Sequence, residues 1–157
     1  MTLGSQLAGG FIGTLVWTTI VNTASARGHT RMDVPFLLGT VFTDNRRKAR
    51  AVGYALHFVA GLFFVFPYAM VFTVVGYSSW WLGTLLGVLH AVFVGTILVN
   101  VLLPAVHPLM GTPETAANEI ALIEPPGFLM LNYGRNTFLV LLAAHMAYGA
   151  IVGWVVR

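Results

Sequence analysis

The sequence predicts an all-α, polytopic membrane protein in which residues 1–157 form a single domain with four transmembrane helices. We expect these helices to form two tandem-repeated hairpins, residues 7–75 and 81–156, with short interfacial helices in the two long loops. Composition is the first reason, because 57% of the residues are hydrophobic and 8% are charged, against roughly 25% charged in soluble domains. An internal repeat is the second reason, since repetition fixes the architecture of a chain.

The four helices are predicted from apolar stretches at residues 7–26, 51–75, 81–103 and 137–156. Each stretch is long enough to cross a hydrocarbon core of about 30 Å. None of the stretches contains Asp, Glu, Lys or Arg. We therefore expect the lipid bilayer to surround most of the chain.

The repeat joins residues 9–35 to residues 87–113 without a gap. Most matched residues are not interchangeable apolar ones, and the matches are Gly9 with Gly87, Val16 with Val94, Thr18 with Thr96, Val21 with Val99, Asn22 with Asn100, His29 with His107, Met32 with Met110, and Pro35 with Pro113. A looser register pairs residues 47–61 with residues 135–149. Hairpins that enter the membrane in the same direction are related by a pseudo-twofold axis along the membrane normal.

The basic residues predict the orientation of the chain. They cluster between the first and second spans, with one more before the fourth: Arg27, Arg31, Arg46, Arg47, Lys48, Arg50 and Arg135. Under the positive-inside rule, both long loops face the cytoplasm and both termini lie outside. The basic residues that produce the net charge of +3 are therefore interpreted as topology signals. No nucleic-acid partner is expected. An outer aromatic belt is expected from Tyr77, Trp80, Trp81 and Trp154.

The motifs of common enzymes are missing from the sequence. The chain has no cysteine, which excludes disulfides and thiolate metal sites. It also lacks a Gly-rich phosphate loop, a paired-carboxylate motif and a Ser-centred nucleophile elbow. These features favour a non-enzymatic protein whose site uses His, Met, carboxylate or amide groups.

Three histidines within the spans are the main candidates for a ligand or metal site: His57, His90 and His145. Ionisable side chains inside a membrane usually face a partner or a cavity. His57 and His145 are predicted at comparable depth, roughly 10 and 15 Å inward from Arg50 and Arg135, and the repeat predicts that they face each other. His90 is predicted to lie deeper, about 20 Å from the cytoplasmic end of its span, and it breaks the symmetry because it has no matching histidine. Three roles of these histidines stay open: they brace neighbouring helices, they bind a metal, haem or quinone, or they form a proton relay.

A second matched set lies at the predicted cytoplasmic ends of the hairpins: Asn22, His29 and Met32 in the first copy, and Asn100, His107 and Met110 in the second. The two histidines are expected to cap the preceding span or to lie at the headgroup boundary. With the two methionines they offer imidazole and thioether ligands that suit copper. Pro35 and Pro113 are expected to start the interfacial helices, over residues 35–42 and 113–123.

Small residues predict where the helices pack, because they let backbones approach closely in lipid. The third span carries one at every fourth position, a set that we call the glycine ridge: Gly83, Gly87, Ala91 and Gly95. The fourth span has Gly149 and Gly153 at the same spacing. This pattern predicts a tight bundle, a homo-oligomer or docking to a larger membrane complex.

The runs His-Phe-Val-Ala-Gly at His57 and His-Met-Ala-Tyr-Gly at His145 resemble the His-x-x-x-Gly spans of small, uncharacterised bacterial four-helix membrane proteins. This resemblance implies a bacterial inner-membrane location and assigns no activity. The histidine pair is also similar to that of membrane cytochromes of the b type, which implies haem, and the similarity is confined to the pair.

Three functions follow as expectations. The first is a non-enzymatic membrane subunit or binding protein with a polar, histidine-lined site in the cytoplasmic half of the bundle. The second is an electron-transfer protein that holds a metal, haem or quinone between His57 and His145. The third is a proton or small-solute transporter with a path from His90 through His145 towards Asn22 and Asn100.

Overall fold

The computed structural model describes residues 1–110 and 123–156, and these ranges contain helices and no β-strand. The helices are α1 (Leu3–Ala26), α2 (Val34–Gly39), α3 (Arg46–Val75), α4 (Trp80–Phe93), a π-helix (Val94–Leu102), α5 (Leu103–Val106), a 3-10 helix (Phe128–Tyr133) and α6 (Thr137–Val155). The prediction of four helices able to span a membrane is confirmed: they are α1, α3, α6 and a third span, Trp80–Val106, that combines α4, the π-helix and α5.

Local signals in the sequence explain where these helices begin. The Thr2 hydroxyl accepts a hydrogen bond from the amide of Ser5, and the Ser5 hydroxyl accepts one from the amide of Thr2. These two bonds form a capping box. Asn45 caps α3. Asp33 caps α2, where Pro35 occupies the first turn. Interfacial helices were predicted over residues 35–42 and 113–123. Helix α2 lies within the first of these segments except for its first residue. Residues 113–122 of the second segment, including Pro113, lie outside the described residues.

The four spans pack in the order α3, α1, α6 and third span. The last helix of the chain, α6, packs along both α1 and α4, and α1 packs against α3. The backbones of α3 and the third span come close at almost no point. A twofold arrangement of the hairpins would make α1 with α6 equivalent to the third span with α3, and these two pairs pack differently.

The glycine ridge packs within the chain. A Cβ atom added at Gly83 would overlap the carbonyl oxygen of Gly149, and one added at Gly87 would overlap the carbonyl oxygen of His145. The same holds for Gly153 against Ser79. These glycines therefore form the α4–α6 crossing and are not free to contact a second chain.

The third span changes its helical form in the middle. Residues Val94–Leu102 form the π-helix, in which a backbone N–H reaches back five residues instead of four. The Asn100 side-chain amide donates to the carbonyl oxygens of Gly95 and Thr96, at 2.9 and 3.0 Å. This side chain therefore satisfies carbonyl groups of the widened turn.

Candidate functional site

A cavity of about 160 Å³ lies inside the bundle, and its wall is almost entirely apolar. All four spans and α2 contribute to the wall. Its polar side chains include His57 from α3, His90 from α4 and His145 from α6. The structure thus brings all three intramembrane histidines to one place.

His145 is buried and bonded to the first helix. Its Nδ1 atom lies 3.1 Å from the indole Nε1 of Trp17 and 2.8 Å from the carbonyl oxygen of Leu141, one turn earlier in α6. The Leu141 carbonyl is within a helix, whereas the buried indole N–H has this one acceptor among the described residues. Because an indole nitrogen only donates, we take Nδ1 as the acceptor of this bond and assign the proton of the neutral ring to Nε2, which leaves the 2.8 Å contact between Nδ1 and the Leu141 carbonyl oxygen without a hydrogen.

His90 is the direct neighbour of His145, with ring centres 4.6 Å apart. The glycine ridge explains this proximity, because Gly87 lets α4 approach α6 at the His145 carbonyl and His90 follows almost one turn later. The Nδ1 atom of His90 lies 3.2 Å from the Tyr68 hydroxyl. The repeat gives His90 no partner histidine, and the order of helix packing places it beside His145.

His57 packs against Trp17. The Trp17 ring centre is 4.5 Å from that of His57 and 5.6 Å from that of His145. The indole therefore contacts both of the histidines that the repeat predicted to face each other. The Nε2 atom of His57 is buried and has no hydrogen-bond partner among the described residues. Since buried polar atoms are normally paired, this nitrogen requires a partner that residues 1–110 and 123–156 do not supply.

The second set of candidates does not line the cavity. His29 is exposed, whereas Met32 and Met110 are buried in two separate hydrophobic clusters. His107 is buried, and its Nε2 atom is 3.1 Å from both the Thr40 hydroxyl and the Leu37 carbonyl oxygen. This histidine therefore fastens α2 to the third span.

The two asparagines are also apart from the cavity. Asn22 donates to the Tyr54 hydroxyl at 3.1 Å, which joins α1 to α3. Asn100 bonds carbonyl oxygens of its own helix. Neither asparagine lines the cavity, so the predicted path from His145 towards them has no support in this arrangement.

Several cavity residues were not predicted from the sequence. Trp17 follows Thr14 by almost one turn of α1, so a polar residue within an apolar span was a signal that could have identified it. Tyr148 likewise follows His145, and its hydroxyl donates to the Gly61 carbonyl oxygen at 2.6 Å. No comparable signal marks Met130, or Tyr68, which contacts the cavity residue His90.

Met130 belongs to a strained turn at the end of the cavity. It is fully buried, and both Leu129 and Met130 have positive φ angles, 54° and 58°. Such conformations cost roughly 1–3 kcal/mol each for residues other than glycine. Gly127, with φ 72°, begins the turn, and the complete burial of Met130 helps to offset the strain.

A polar cluster lies just beyond this turn. Arg31 pairs with Glu124 at 3.2 Å, and the Tyr133 hydroxyl donates to the Glu124 backbone oxygen at 2.8 Å. Burial and the Glu124 charge, against the opposing charge of Arg31, together raise the pKa of Tyr133 to about 12. The phenol therefore stays neutral well above physiological pH.

The geometry discriminates between the predicted ligands. In residues 1–110 and 123–156, no three His, Asp or Glu side chains are arranged to hold a metal ion. A volume of about 160 Å³ is below the roughly 300–1,000 Å³ of most cofactor pockets, so a haem does not fit. An apolar cavity of about 150 Å³ does hold benzene, so one six-membered ring fits.

Comparisons with the known protein families, the curated proteins and the solved structures found no match to this chain.

Proposed function

We propose that this protein is a non-enzymatic membrane protein that binds a small, lipid-soluble molecule in the cavity lined by His57, His90 and His145. One observation carries the proposal: the three imidazoles converge on one apolar cavity, and His57 leaves a buried nitrogen unpartnered among the described residues. Polar groups inside a membrane are costly unless they meet a partner. A ligand with a few polar atoms supplies that partner.

The proposed orientation places both long loops in the cytoplasm of a bacterial cell and the cavity in the cytoplasmic half of its inner membrane. Arg46, Arg47 and Lys48, at the start of α3, support this orientation. Tyr77 and Trp80, at the opposite end of the helices, are exposed as an outer aromatic belt requires. The tandem duplication of residues 7–75 and 81–156 is supported by the matched sequence positions.

Assembly into a homo-oligomer or a larger membrane complex also stays a proposal. The glycine ridge does not support it, because these glycines contact α6 and the 3-10 helix of the same chain. Large apolar side chains on the outer faces of the spans, such as Phe63, Met70 and Leu89, are exposed. They suit contact with lipid chains.

The binding proposal is tested by filling the cavity. Ala60 lines the cavity, whereas its neighbour Val59 is 62% exposed on the outer face of α3. We therefore compare Ala60→Phe with Val59→Phe, using fluorobenzene as a ring-sized probe and its ¹⁹F chemical shift as the measurement. Saturable one-site binding is expected for the wild type and Val59→Phe and is expected to be lost in Ala60→Phe. Equal binding by both variants would contradict the proposal.

A further inference from the structure

We propose that the ligand is a quinone, whose ring accepts hydrogen bonds from the cavity histidines and whose tail leaves the bundle between α3 and the third span. This inference rests on the proposed binding function and adds the chemical class of the ligand. It depends on the proton positions at the cavity, on the cavity size and on the seam between the two helices.

The first step concerns His145. The Trp17 indole N–H donates to its Nδ1 atom, and on this ground we assign the proton of the neutral imidazole to Nε2. No hydrogen bond among the described residues involves Nε2 of His145. The ring therefore offers an N–H donor to the cavity that it lines.

The second step concerns His90. Among the described residues, the Tyr68 hydroxyl makes its one hydrogen bond with Nδ1 of His90. When the hydroxyl donates this bond, its hydrogen is satisfied and the His90 proton lies on Nε2. His90 then offers a second N–H donor, on a ring whose centre is 4.6 Å from that of His145.

The two donors cannot pair with each other, and the nearby hydroxyls do not pair with them. Thr14 donates to the Gly10 carbonyl oxygen at 2.7 Å, and Tyr148 donates to the Gly61 carbonyl oxygen at 2.6 Å. Neither hydroxyl accepts from an imidazole among the described residues. With the protons of His90 and His145 assigned to Nε2, the two rings offer donors at an otherwise apolar wall, and the complementary ligand brings acceptor oxygens such as ring carbonyls.

The third step concerns the route into the cavity. The cavity is not sealed, and half-buried side chains border it along the seam: Ala60 and Phe64 on α3, and Val94 and Leu98 on the π-helix. Leu37 and Leu38 of α2 form the cavity end near the start of α3. The seam faces the apolar outer surface, where Val59 and Ile97 are exposed.

These steps define one chemical class. The cavity holds about one six-membered ring, the histidines select carbonyl oxygens on that ring, and the seam admits a long apolar tail from the lipid. A membrane quinone has all three features. An alkylbenzene has the ring and the tail without the oxygens, so it serves as the matched control ligand.

The experiment uses Trp17 as a reporter. The full-length variant Trp80→Phe, Trp81→Phe, Trp154→Phe keeps Trp17 as its sole tryptophan, beside the cavity. We titrate this protein in lipid nanodiscs with decylubiquinone and follow quenching of Trp17 fluorescence. We then add decylbenzene as a competitor. Saturable quenching at one quinone per chain is expected, and decylbenzene should bind at least about tenfold more weakly, the effect of one lost hydrogen bond.

Two pairs of variants control for folding and for collisions with quinone in the bilayer. His90→Leu keeps the bond between Trp17 and His145 and should weaken decylubiquinone binding about tenfold, whereas Leu89→Ala on the exposed face of α4 should not. Ala60→Phe should abolish saturable quenching, and Val59→Phe should retain it. Far-ultraviolet circular dichroism verifies that each variant is helical.

The outcomes separate this inference from the binding function. Equal affinity for decylbenzene and decylubiquinone overturns the quinone and leaves the ring-binding cavity intact. Unchanged quenching in Ala60→Phe shows that the quencher acts from the bilayer and overturns the quinone site. If decylubiquinone, decylbenzene and fluorobenzene all show no saturable binding, the proposed binding function itself is overturned.

Discussion

The indole N–H of Trp17 on α1 donates to Nδ1 of His145 on α6 across 3.1 Å. This bond joins the first and last helices of the chain at the wall of the cavity. Because indole cannot accept, Nδ1 is the acceptor in this bond, and the imidazole proton is assigned to Nε2 on that ground. The contact therefore contributes both to the packing of α1 on α6 and to the chemistry of the cavity.

The first prediction removes the donor and keeps an aromatic ring. Trp17→Phe is expected to lower the free energy of unfolding by about 1 kcal/mol, the net value of one buried hydrogen bond. Unfolding in mixed micelles with increasing dodecyl sulfate measures the change. Trp154→Phe is the control, since Trp154 is 61% exposed and should change stability by less than about 0.5 kcal/mol. Equal effects of the two substitutions would refute the role of the bond.

The second prediction distinguishes the histidines by the direction in which each substitution changes the stability of the ligand-free protein. His145→Leu leaves the buried Trp17 N–H without an acceptor and should cost about 1–3 kcal/mol of stability. His57→Leu removes a buried nitrogen that has no partner among the described residues, so stability should stay unchanged or rise. His29→Leu, at an exposed position, should have an effect below about 0.5 kcal/mol. A loss in His57→Leu equal to that in His145→Leu would contradict this assignment.

The third prediction concerns the α4–α6 crossing. Gly83→Ala should destabilise the protein by about 2–3 kcal/mol, because the new methyl group meets backbone atoms that cannot rotate away. Gly4→Ala is the matched control in a helix, where the nearest heavy atom to the added Cβ is 3.9 Å away. That change should be neutral or slightly stabilising. A tolerated Gly83→Ala in the same micellar unfolding assay would show that the helices are farther apart.

The fourth prediction is a dependence on alkaline pH. The pKa of Tyr133 is raised from 10.0 to about 12 by burial and by Glu124, against the opposing charge of Arg31. The unfolded chain therefore releases this proton first, and stability should fall as pH rises from 10 towards 12. Tyr133→Phe should remove this part of the decline, and Tyr77→Phe, on an exposed ring, should retain it. The free energy of unfolding measured across this pH range provides the test.

The fifth prediction concerns orientation, and the absence of native cysteine makes it simple to test. Lys48→Cys places a single thiol near the start of α3, and Tyr77→Cys places one in the loop just after its end. In intact spheroplasts, a membrane-impermeant maleimide should label Tyr77→Cys directly and should label Lys48→Cys after lysis. The reverse pattern would invert the proposed topology.

The spans were predictable from the sequence because apolar runs in lipid leave few alternatives to a helix. The apolar run at 51–75 is shorter than α3, which begins at Arg46. The basic residues of its first turns are helical and outside the run, so hydropathy cannot include them. Asn45 marks the true start through its cap.

The site was predictable in part. The sequence identified the intramembrane histidines, but the identity of each neighbour depends on which helices touch. That order is set by close approaches such as Gly87 at the His145 carbonyl, and a list of small residues does not say which partner each one meets. The ring contact between His90 and His145 was therefore not predicted from the repeat, and Trp17 was not identified.

The matched pair His29 and His107 shows a second limit. The first is exposed and the second is buried against Thr40. The segment before His29 is a continuous α-helix, whereas the segment before His107 contains the π-helix. An α-helix and a π-helix have different numbers of residues per turn. Residues that match in sequence after the π-helix therefore point in different directions around the helix axis and face different surroundings.

The central position of α6 has a consequence for biogenesis. This helix is synthesised after α1 and α4, yet it supplies the contacts that hold them. Until it inserts, the nascent chain exposes the glycine ridge to lipid and lacks one wall of the cavity. Premature termination before Thr137 would therefore yield three loosely associated helices, which membrane quality-control proteases are expected to remove.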